Sequence, residues 1–508
     1  MDAPTNELDS FFPRQADPAT RKLGMVVGGS LSKGLDVRLD PGAPVEDMAV
    51  GRYVVIEGEQ TRFFGMITDV ILGSATPAVQ TAPPDVSDPF LRQVYQGTAV
   101  FGQVHVAPML VLDEAAAEPR PVKTIPGHFA AVRAATEEDV NMVFGPEDDR
   151  HFHIGAPLDM ETIPVNVDLQ RMAERSVGVF GKSGTGKSFL TRILLTGMIQ
   201  KQAATGLIFD MHNDYGWQIQ AEGGRKSVKG LKQLFPGQVA IFTLDEASSR
   251  RRQVQPDYVV TMRWQDITPE DLEMLKTTLD LSDSMIGAAY TLRRLWGKTW
   301  IKHLLEADKD DFDALVEGSN IVRASVDALS RRLQKLARFD FIRDSWQSDS
   351  AEAILQYIEK GHTVVLEFGR FGDATEAYIL VANYLTRRIH TMYRKRMENA
   401  QGSKAAEPPP LLIVVEEAHK FLDPQIARQT IFGIIARELR KYNVTLLVVD
   451  QRPSGIDEEV MSQIGTRVTA LLDNERDINA VLTGVSGAGG LREVLARLDT
   501  QQQALIMG

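Results

Sequence analysis

Short apolar runs separated by turn-forming residues occupy the first part of the chain. They alternate apolar and polar positions or are bounded by glycine, which is typical of strands with one buried face. Strands at this close spacing favour a small barrel. The runs cover residues 24–29, 35–39, 51–57, 63–72, 98–106 and 109–112, and the Pro-, Ala- and Asp-rich residues 74–88 are predicted to be a loop.

A different pattern begins near Ser176, where continuous apolar runs alternate with helical spacing. Runs without polar interruption are expected for parallel strands that are buried on both faces. The pattern therefore predicts an α/β domain with a parallel sheet. Its strands are predicted at 176–180, 206–210, 239–243, 362–368, 411–415 and 444–449, with helices over 189–195, over much of 266–358, and over about 25 residues from Glu376.

The two patterns divide the chain into five predicted regions. They are a flexible tail (1–20), the barrel with its linker (21–160), a first part of the α/β core (161–265), a helical insertion (266–358) and a second part of the core (359–508).

Residues 181–188, Gly-Lys-Ser-Gly-Thr-Gly-Lys-Ser, fit the G-x-x-x-x-G-K-[ST] phosphate-binding loop without a mismatch. A predicted strand precedes them and a helix follows, so backbone N–H groups and the helix dipole would surround an anion. Lys187 would reach the β- and γ-phosphates and Ser188 would hold Mg²⁺. The residues predicted to bind ATP are Gly181, Ser183, Gly184, Thr185, Gly186, Lys187, Ser188 and Phe189.

Further polar residues stand at the tips of predicted parallel strands, which is the ligand-binding edge of such a sheet. Glu416 would hold a Mg²⁺-bound water, and Glu417 would polarise the water that attacks the γ-phosphate. Gln451 would sense the γ-phosphate, and Asp210 adds a further carboxylate. These carboxylates are more consistent with ATP hydrolysis than with a solvated pair opening a helix.

The segment Arg437-Glu438-Leu439-Arg440-Lys441 precedes the strand at 444–449. An arginine here would either reach the nucleotide of a neighbouring subunit or lie at the surface. His212 and His419 are predicted to be structural or polar residues, since no set of side chains has metal-ligand spacing.

Composition narrows the class of protein. The chain has 508 residues, no cysteine and a net charge of −12. These values exclude disulfides and a broad cationic surface for nucleic acid, although local basic clusters occur. The polar N-terminus lacks signal-peptide features, and no apolar run approaches the roughly 18 residues of a membrane span. We therefore expect a cytoplasmic protein without a membrane partner.

Together these motifs resemble the HerA family of hexameric DNA translocases and helicases, within the HerA–FtsK branch of P-loop ATPases. The resemblance spans most of the chain. It rests on the barrel at 23–72 and the phosphate loop, and on residues 152–155, 210–215, 416–419, 436–442, 451–454 and 503–508. The sequence departs from the family pattern at Glu416 (usually Asp), at Asn213-Asp214 (usually Gly-Glu) and at Leu439 (usually Gly).

The resemblance implies a RecA-like core and a homohexamer around double-stranded DNA, with ATP and Mg²⁺ between subunits. Arg440 stands at the position of the arginine finger, which completes the neighbour's site. The family further implies a NurA-type nuclease or another effector, in DNA end processing, repair or phage defence.

Two other functional classes are compatible with a phosphate-binding loop. A secretion or conjugation ATPase of the same superfamily, which moves protein, stays as the alternative. A small-molecule kinase or GTPase is disfavoured by Glu416-Glu417 on a distant strand and by the lack of an Asn-Lys-x-Asp motif.

Overall fold

The computed structural model describes residues 22–113, 118–220, 227–307, 321–345, 348–400, 407–428, 430–438, 441–485, 488–500 and 502–508. The chain divides into two compact units. The first contains the residues up to Asp168 together with 484–499, and the second contains Leu169–Thr483 and Thr500–Gly508.

The strands of the first unit contain from 2 to 13 residues, and their described pairings are antiparallel. They are β1 (Lys22–Ser30), β2 (Gly34–Leu39), β3 (Tyr53–Glu57), β4 (Arg62–Ser74), β5 (Val100–Leu112), β6 (Arg120–Pro121), β7 (Ala131–Ala134), β8 (His151–Gly155) and β9 (Val165–Asp168).

Six of these strands close into a barrel in the order β2-β1-β7-β3-β4-β5, because β2 also pairs with β5. Alternate side chains point inward and form one apolar core, as the period of two requires. This core includes Val37, Val54, Ile56, Ile67, Val104, Val106 and Val132. The predicted barrel is therefore confirmed.

The strands of the second unit are β10 (Ser176–Phe180), β11 (Thr205–Asp210), β12 (Ile219–Gln220), β13 (Ser227–Val228), β14 (Val239–Thr243), β15 (Tyr258–Val259), β16 (Met262–Arg263), β17 (Ile342–Arg343), β18 (Thr363–Glu367), β19 (Leu411–Glu416), β20 (Val444–Asp450), β21 (Ile464–Thr469) and β22 (Leu505–Met507).

A nine-stranded sheet organises this unit in the order β15-β14-β18-β11-β19-β20-β10-β21-β22. All its neighbouring strands are parallel except β22, which runs antiparallel to β21. The central strands are buried along their whole length, which explains their uninterrupted apolar sequences. This arrangement confirms the predicted α/β class.

The helices pack around these sheets. They are α1 (Pro77–Thr81), α2 (Pro89–Thr98), α3 (Glu137–Phe144), α4 (Leu169–Ala173), α5 (Lys187–Gln200), α6 (Leu231–Leu234), α7 (Glu246–Arg251), α8 (Pro269–Met274), α9 (Lys276–Leu279), α10 (Asp283–Trp296), α11 (Trp300–Glu306), α12 (Arg323–Leu333), α13 (Ser350–Glu359), α14 (Thr375–Ala400), α15 (His419–Leu422), α16 (Ile431–Glu438), α17 (Glu458–Gln463), α18 (Glu475–Leu482) and α19 (Ala488–Arg497).

Some elements differ from the sequence pattern. Strand β5 is continuous over the predicted break between 106 and 109, and helix α1 lies inside the predicted loop 74–88. Residues 484–499, which the pattern places with the core, belong to the first unit. There Arg497 pairs with Asp69, and a Cβ atom at Gly490 would meet Thr68 at 2.9 Å.

Candidate functional site

The phosphate-binding loop connects β10 to α5. Gly186 caps the helix in the left-handed region with φ of 87°, and Gly184 has φ of 78°. Residues with a Cβ atom are strained at such angles, so the two glycines allow this tight path. The strand, loop and helix predicted around residues 181–188 are all present.

Hydrogen bonds inside the loop orient its polar side chains. The Lys187 Nζ and the Thr185 Oγ1 each donate to the backbone carbonyl of Lys182, both at 2.8 Å. The Lys187 ammonium therefore points back over the loop, where a phosphate oxygen would be an equivalent acceptor. Ser188 is half-buried at the start of α5, and the next side chain, Phe189, is 56% exposed.

Four adjacent parallel strands each end in a buried carboxylate. In sheet order, β18, β11, β19 and β20 end at Glu367, Asp210, Glu416 and Asp450, with exposed fractions of 0%, 0%, 6% and 1%. We call these four residues the carboxylate row. Strand β10, which leads into the phosphate loop, lies next to β20, with Phe180 opposite Asp450. Because buried carboxylates are costly without partners, the partners of each member indicate its role.

The two outer members of the row are fully partnered. Glu367 forms an ion pair with Arg252, which contacts both of its carboxylate oxygens. Asp450 accepts hydrogen bonds from the backbone N–H groups of His419 (2.6 Å) and Arg452 (2.7 Å), and from the His419 Nδ1. These carboxylates are satisfied by the protein itself.

Asp210 holds the loop that follows β11. Its oxygens accept from the backbone N–H groups of Asp214 (2.7 Å), Tyr215 (2.9 Å) and Gly216 (3.3 Å). Burial raises the pKa of Asp210 to about 7, against the effect of these hydrogen bonds. The catalytic role of Asp210 stays a prediction, and in the structure its hydrogen bonds also hold this loop.

Glu416 has a distinct environment. Tyr215 donates its hydroxyl to Oε1 at 2.8 Å, and the Tyr378 hydroxyl bonds both backbone groups of Glu416, at 2.9 and 3.0 Å. Its second oxygen, Oε2, is buried without a hydrogen-bond partner. Burial, followed by the nearby charge of Asp210, raises the pKa of Glu416 to about 8.

A divalent cation would resolve this imbalance. Mg²⁺ is bound by one or two carboxylates together with hydroxyl, water and phosphate oxygens. The unpartnered Oε2 of Glu416 is such an oxygen, and Ser188 lies in the first turn of α5, directly after the phosphate loop. The residues predicted to hold Mg²⁺, Ser188 and Glu416, therefore fit the ion chemically.

Glu417 lies directly after the row in a strained conformation. Its φ is +49°, a region that non-glycine residues rarely adopt and that often marks functional sites. The Gln451 Nε2 donates to its Oε1 at 3.1 Å, and the His419 Nδ1 lies 3.7 Å from its Oε2. The structure thus brings together Glu417 and Gln451, which the sequence predicted as separate contributors.

Glu417, His419 and Asp450 also bring their ligand atoms within 4.8 Å of one another, a grouping that the sequence spacing did not predict. Asp450 accepts from the Nδ1 of His419, so this nitrogen carries a proton and offers no lone pair to a metal. We therefore assign the group to hydrogen bonding, in agreement with the polar role predicted for His419.

The arginine predicted as a finger, Arg440, lies outside the described residues. The neighbouring Arg437 is described and is held within its own chain. Its guanidinium donates to the Ala427 carbonyl at 3.0 Å and pairs with Glu459 at 3.5 Å. Arg437 is therefore a less suitable finger than its position near Arg440 alone would indicate.

Sequence reasoning missed the two tyrosines that hold Glu416. Both are fully buried, and they lie 201 and 38 residues away from it. Tyr215 ends the segment 210–215, whose resemblance to a family motif was its only sequence signal. Tyr378 lies on α14 among other apolar residues and had no distinguishing signal.

Two known domain families match parts of this chain. Residues 152–389 match the model of the helicase HerA central domain, and residues 23–113 match the HAS barrel domain. These matches confirm the resemblance to the HerA family that the sequence predicts. The match to the central domain contains the phosphate loop, Asp210 and Glu367. The predicted P-loop ATPase class and the N-terminal barrel are thereby confirmed.

Relatives of this chain include two proteins named DNA double-strand break repair helicase HerA. The protein from Sulfurisphaera tokodaii is 25% identical over 95% of this chain and 90% of its own length. The protein from Pyrococcus furiosus is 24% identical over 69% of this chain and 65% of its own length.

Two solved structures align with this chain at lower sequence identity than these relatives. VirB4 of Thermoanaerobacter pseudethanolicus aligns with a TM-score of 0.43 at 16% identity, over 70% of this chain and 93% of that one. The plasmid coupling protein TrwB in complex with ADP and Mg²⁺ aligns with a TM-score of 0.43 at 13% identity, over 69% and 81%. Alignments at this level carry no functional argument.

Among the described residues, no helix combines the length and the apolar character needed to cross a bilayer.

Proposed function

We propose that this chain is a member of the HerA family and an ATP-driven translocase or helicase that acts on double-stranded DNA as a ring-shaped homohexamer. The observation that carries the proposal is the match of residues 152–389 to the helicase HerA central domain. The names of the relatives point to the same substrate.

The site supplies the groups that ATP hydrolysis requires. The phosphate loop and Lys187 bind the phosphates, and Glu416 with Ser188 would hold Mg²⁺, which neutralises charge on the phosphate oxygens when bound. Glu417 accepts a proton from the attacking water and orients it. Gln451 donates a hydrogen bond to Glu417 and would sense the γ-phosphate, and Arg440 would act on the nucleotide of the neighbouring subunit.

The proposed partner and pathway rest on the family resemblance alone. We propose that the ring works with a NurA-like nuclease or another effector in DNA end processing, repair or phage defence. The acidic net charge of −12 is compatible with DNA binding, because only residues facing the central pore would contact phosphates.

The test measures ATP turnover with linear duplex, closed circular duplex and no DNA, over a salt series. We expect linear duplex to stimulate turnover most, because a closed ring must be threaded. Duplex affinity should fall with salt, with a log–log slope of about −0.9 per neutralised phosphate.

Two variants of the same helix control this experiment. Lys187→Ala should remove most turnover, whereas Lys201→Ala, at the other end of α5, should not. If a hexamer with active ATPase neither binds nor responds to any DNA at low salt, the proposal fails, and a protein-moving ATPase of the same superfamily becomes the better hypothesis.

A further inference from the structure

The strained Glu417 is held by two side chains, and both depend on the tip of a single neighbouring strand. Gln451 directly follows β20 and donates to Oε1 of Glu417 at 3.1 Å. His419 lies 3.7 Å from Oε2 of Glu417 and is itself held by Asp450, the last residue of β20. Each carboxylate oxygen of Glu417 therefore lies next to a side chain whose position depends on the end of β20.

The position of His419 is fixed by three contacts with Asp450. The backbone N–H of His419 donates to Oδ2 at 2.6 Å, and Nδ1 lies 3.0 and 3.2 Å from the two oxygens. On its other side, the His419 Cβ packs against Gly455, where an added Cβ would approach to 3.2 Å. The imidazole is therefore oriented by the fold and not by the chance position of a surface side chain.

The charges around His419 favour the imidazolium. The hydrogen bond to Asp450 raises the pKa of His419 above 6.5, and the charges of Asp450 and Glu417 act in the same direction. Burial and Lys420 oppose this effect. The turn Pro453–Gly455 contributes no titratable side chain, and Arg437 of α16 is engaged by Ala427 and Glu459.

We infer that His419 is a positioning residue for Glu417 and makes ATP turnover dependent on pH. This inference rests on the proposed role of Glu417 in hydrolysis. As an imidazolium, His419 lies between the carboxylates of Glu417 and Asp450, and its positive charge attracts the Glu417 carboxylate and fixes its orientation. When His419 loses its proton, the two carboxylates face each other without a cation, and Glu417 loses its orientation.

The raised pKa of His419 determines whether ATP turnover rises or falls with pH. A histidine with a raised pKa carries its charge at neutral pH and loses it as the pH rises through that pKa. The inference therefore predicts that kcat falls along an alkaline limb whose midpoint lies above pH 6.5, while KM for ATP changes little.

The experiment measures kcat, KM and nucleotide binding from pH 6 to 9 without DNA, for wild type, His419→Asn and His419→Ala. His419→Asn keeps a donor toward Asp450 but not the charge, so it should fold and lose the alkaline limb. His419→Ala should lower kcat at pH 7 by up to about 100-fold, with KM within about threefold, as expected for a misplaced reactive group. The control is His303→Asn, since His303 is exposed in the insertion and bonds the Thr299 carbonyl.

A wild-type measurement covers the case in which a variant does not fold. Selective ¹³C labelling of the histidine ring should show one resonance, absent in His419→Asn, that titrates above pH 6.5 and moves to lower pH in Glu417→Gln. If His419 titrates at or below pH 6.5, or both variants keep the wild-type kcat and alkaline limb, the inference is wrong. A wild type that does not hydrolyse ATP would instead overturn the proposed function, and this inference with it.

Discussion

Each of the two units buries a carboxylate, and the two groups have opposite environments. In the first unit, Asp139 is 1% exposed and accepts hydrogen bonds from Arg133, from both the backbone and the side chain of Thr136, and from Arg62. In the second unit, the side chain of Glu416 accepts one hydrogen bond, from the Tyr215 hydroxyl, and its other oxygen is unpartnered.

The pKa shifts reflect this difference. Burial would raise the pKa of Asp139, but the hydrogen bonds from Arg133 and Thr136 outweigh it, and the pKa is lowered. The pKa of Glu416 is raised by burial and by Asp210. A carboxylate whose bonds are complete stabilises its surroundings, whereas an incomplete one carries a cost that a ligand can remove.

A raised pKa alone does not identify a carboxylate that lacks a hydrogen-bond partner. Asp271, in the predicted insertion, also has a raised pKa because it is buried. Its oxygens are nevertheless bonded by Thr268, Asn383 and Arg387. The decisive observation is therefore the count of partners on each oxygen.

The largest effect that tests this comparison is expected for Asp139→Ala. It removes the main partner of Arg133 within a buried network and should destabilise the first unit by about 3–5 kcal/mol. Hydrogen exchange of β7 and α3 would locate the loss, and Glu147→Ala, at an exposed neighbouring position, should change little. A loss below about 1 kcal/mol would contradict a structural role for Asp139.

Glu416→Gln should have the opposite effect on stability. The amide avoids burying a charge, so the nucleotide-free variant should be more stable at pH 8 by on the order of 2 kcal/mol. Wild type and variant should converge near pH 4.5, and the wild type should lose stability relative to the variant as pH rises toward the Glu416 pKa of about 8.

Thermal unfolding over this pH range measures the difference, with Glu417→Gln as the matched control at a 24% exposed carboxylate. Mg²⁺ with nucleotide should stabilise wild type more than Glu416→Gln. Equal stabilisation of both would exclude Glu416 as a ligand.

Tyr215→Phe should have the smallest effect. It removes the single hydroxyl that bonds Oε1 of Glu416, and losing a bond to a buried acidic group costs about 1–2 kcal/mol. Tyr393→Phe is the control, because this buried hydroxyl bonds only the Pro409 carbonyl in the described contacts, at 3.2 Å. In a double-mutant cycle, the effect of Tyr215→Phe should shrink when Glu416 is already glutamine.

The sequence predicts best those elements whose residue pattern is set by a single physical requirement. The central parallel strands were located to within a residue or two, because burial on both faces requires uninterrupted apolar runs. Strand β21 was not predicted, since it contains Arg467. That arginine is 4% exposed and donates to the carbonyls of Met461, Val481 and Thr483. The charged residue interrupts the apolar pattern, although the strand is buried.

The candidate site was predictable in part for a related reason. The phosphate loop and the tips of β19 and β20 are local patterns, so the sequence predicts Lys187, Glu416, Glu417 and Gln451 as site residues directly. The partners of these residues are set by tertiary contacts. The bonds from Tyr215 to Glu416 and from Asp450 to His419 join distant segments, and no local pattern reports them. Arg440 stays a prediction.

The membership of α19 in the first unit has a consequence for how the protein is made. The barrel strands leave the ribosome early, but the helix that packs on β4 is translated several hundred residues later. The first unit can therefore reach its final form only after nearly the entire second unit has been synthesised. Early barrel intermediates would expose the surface around Thr68 and Asp69, and they would be candidates for chaperone binding during translation.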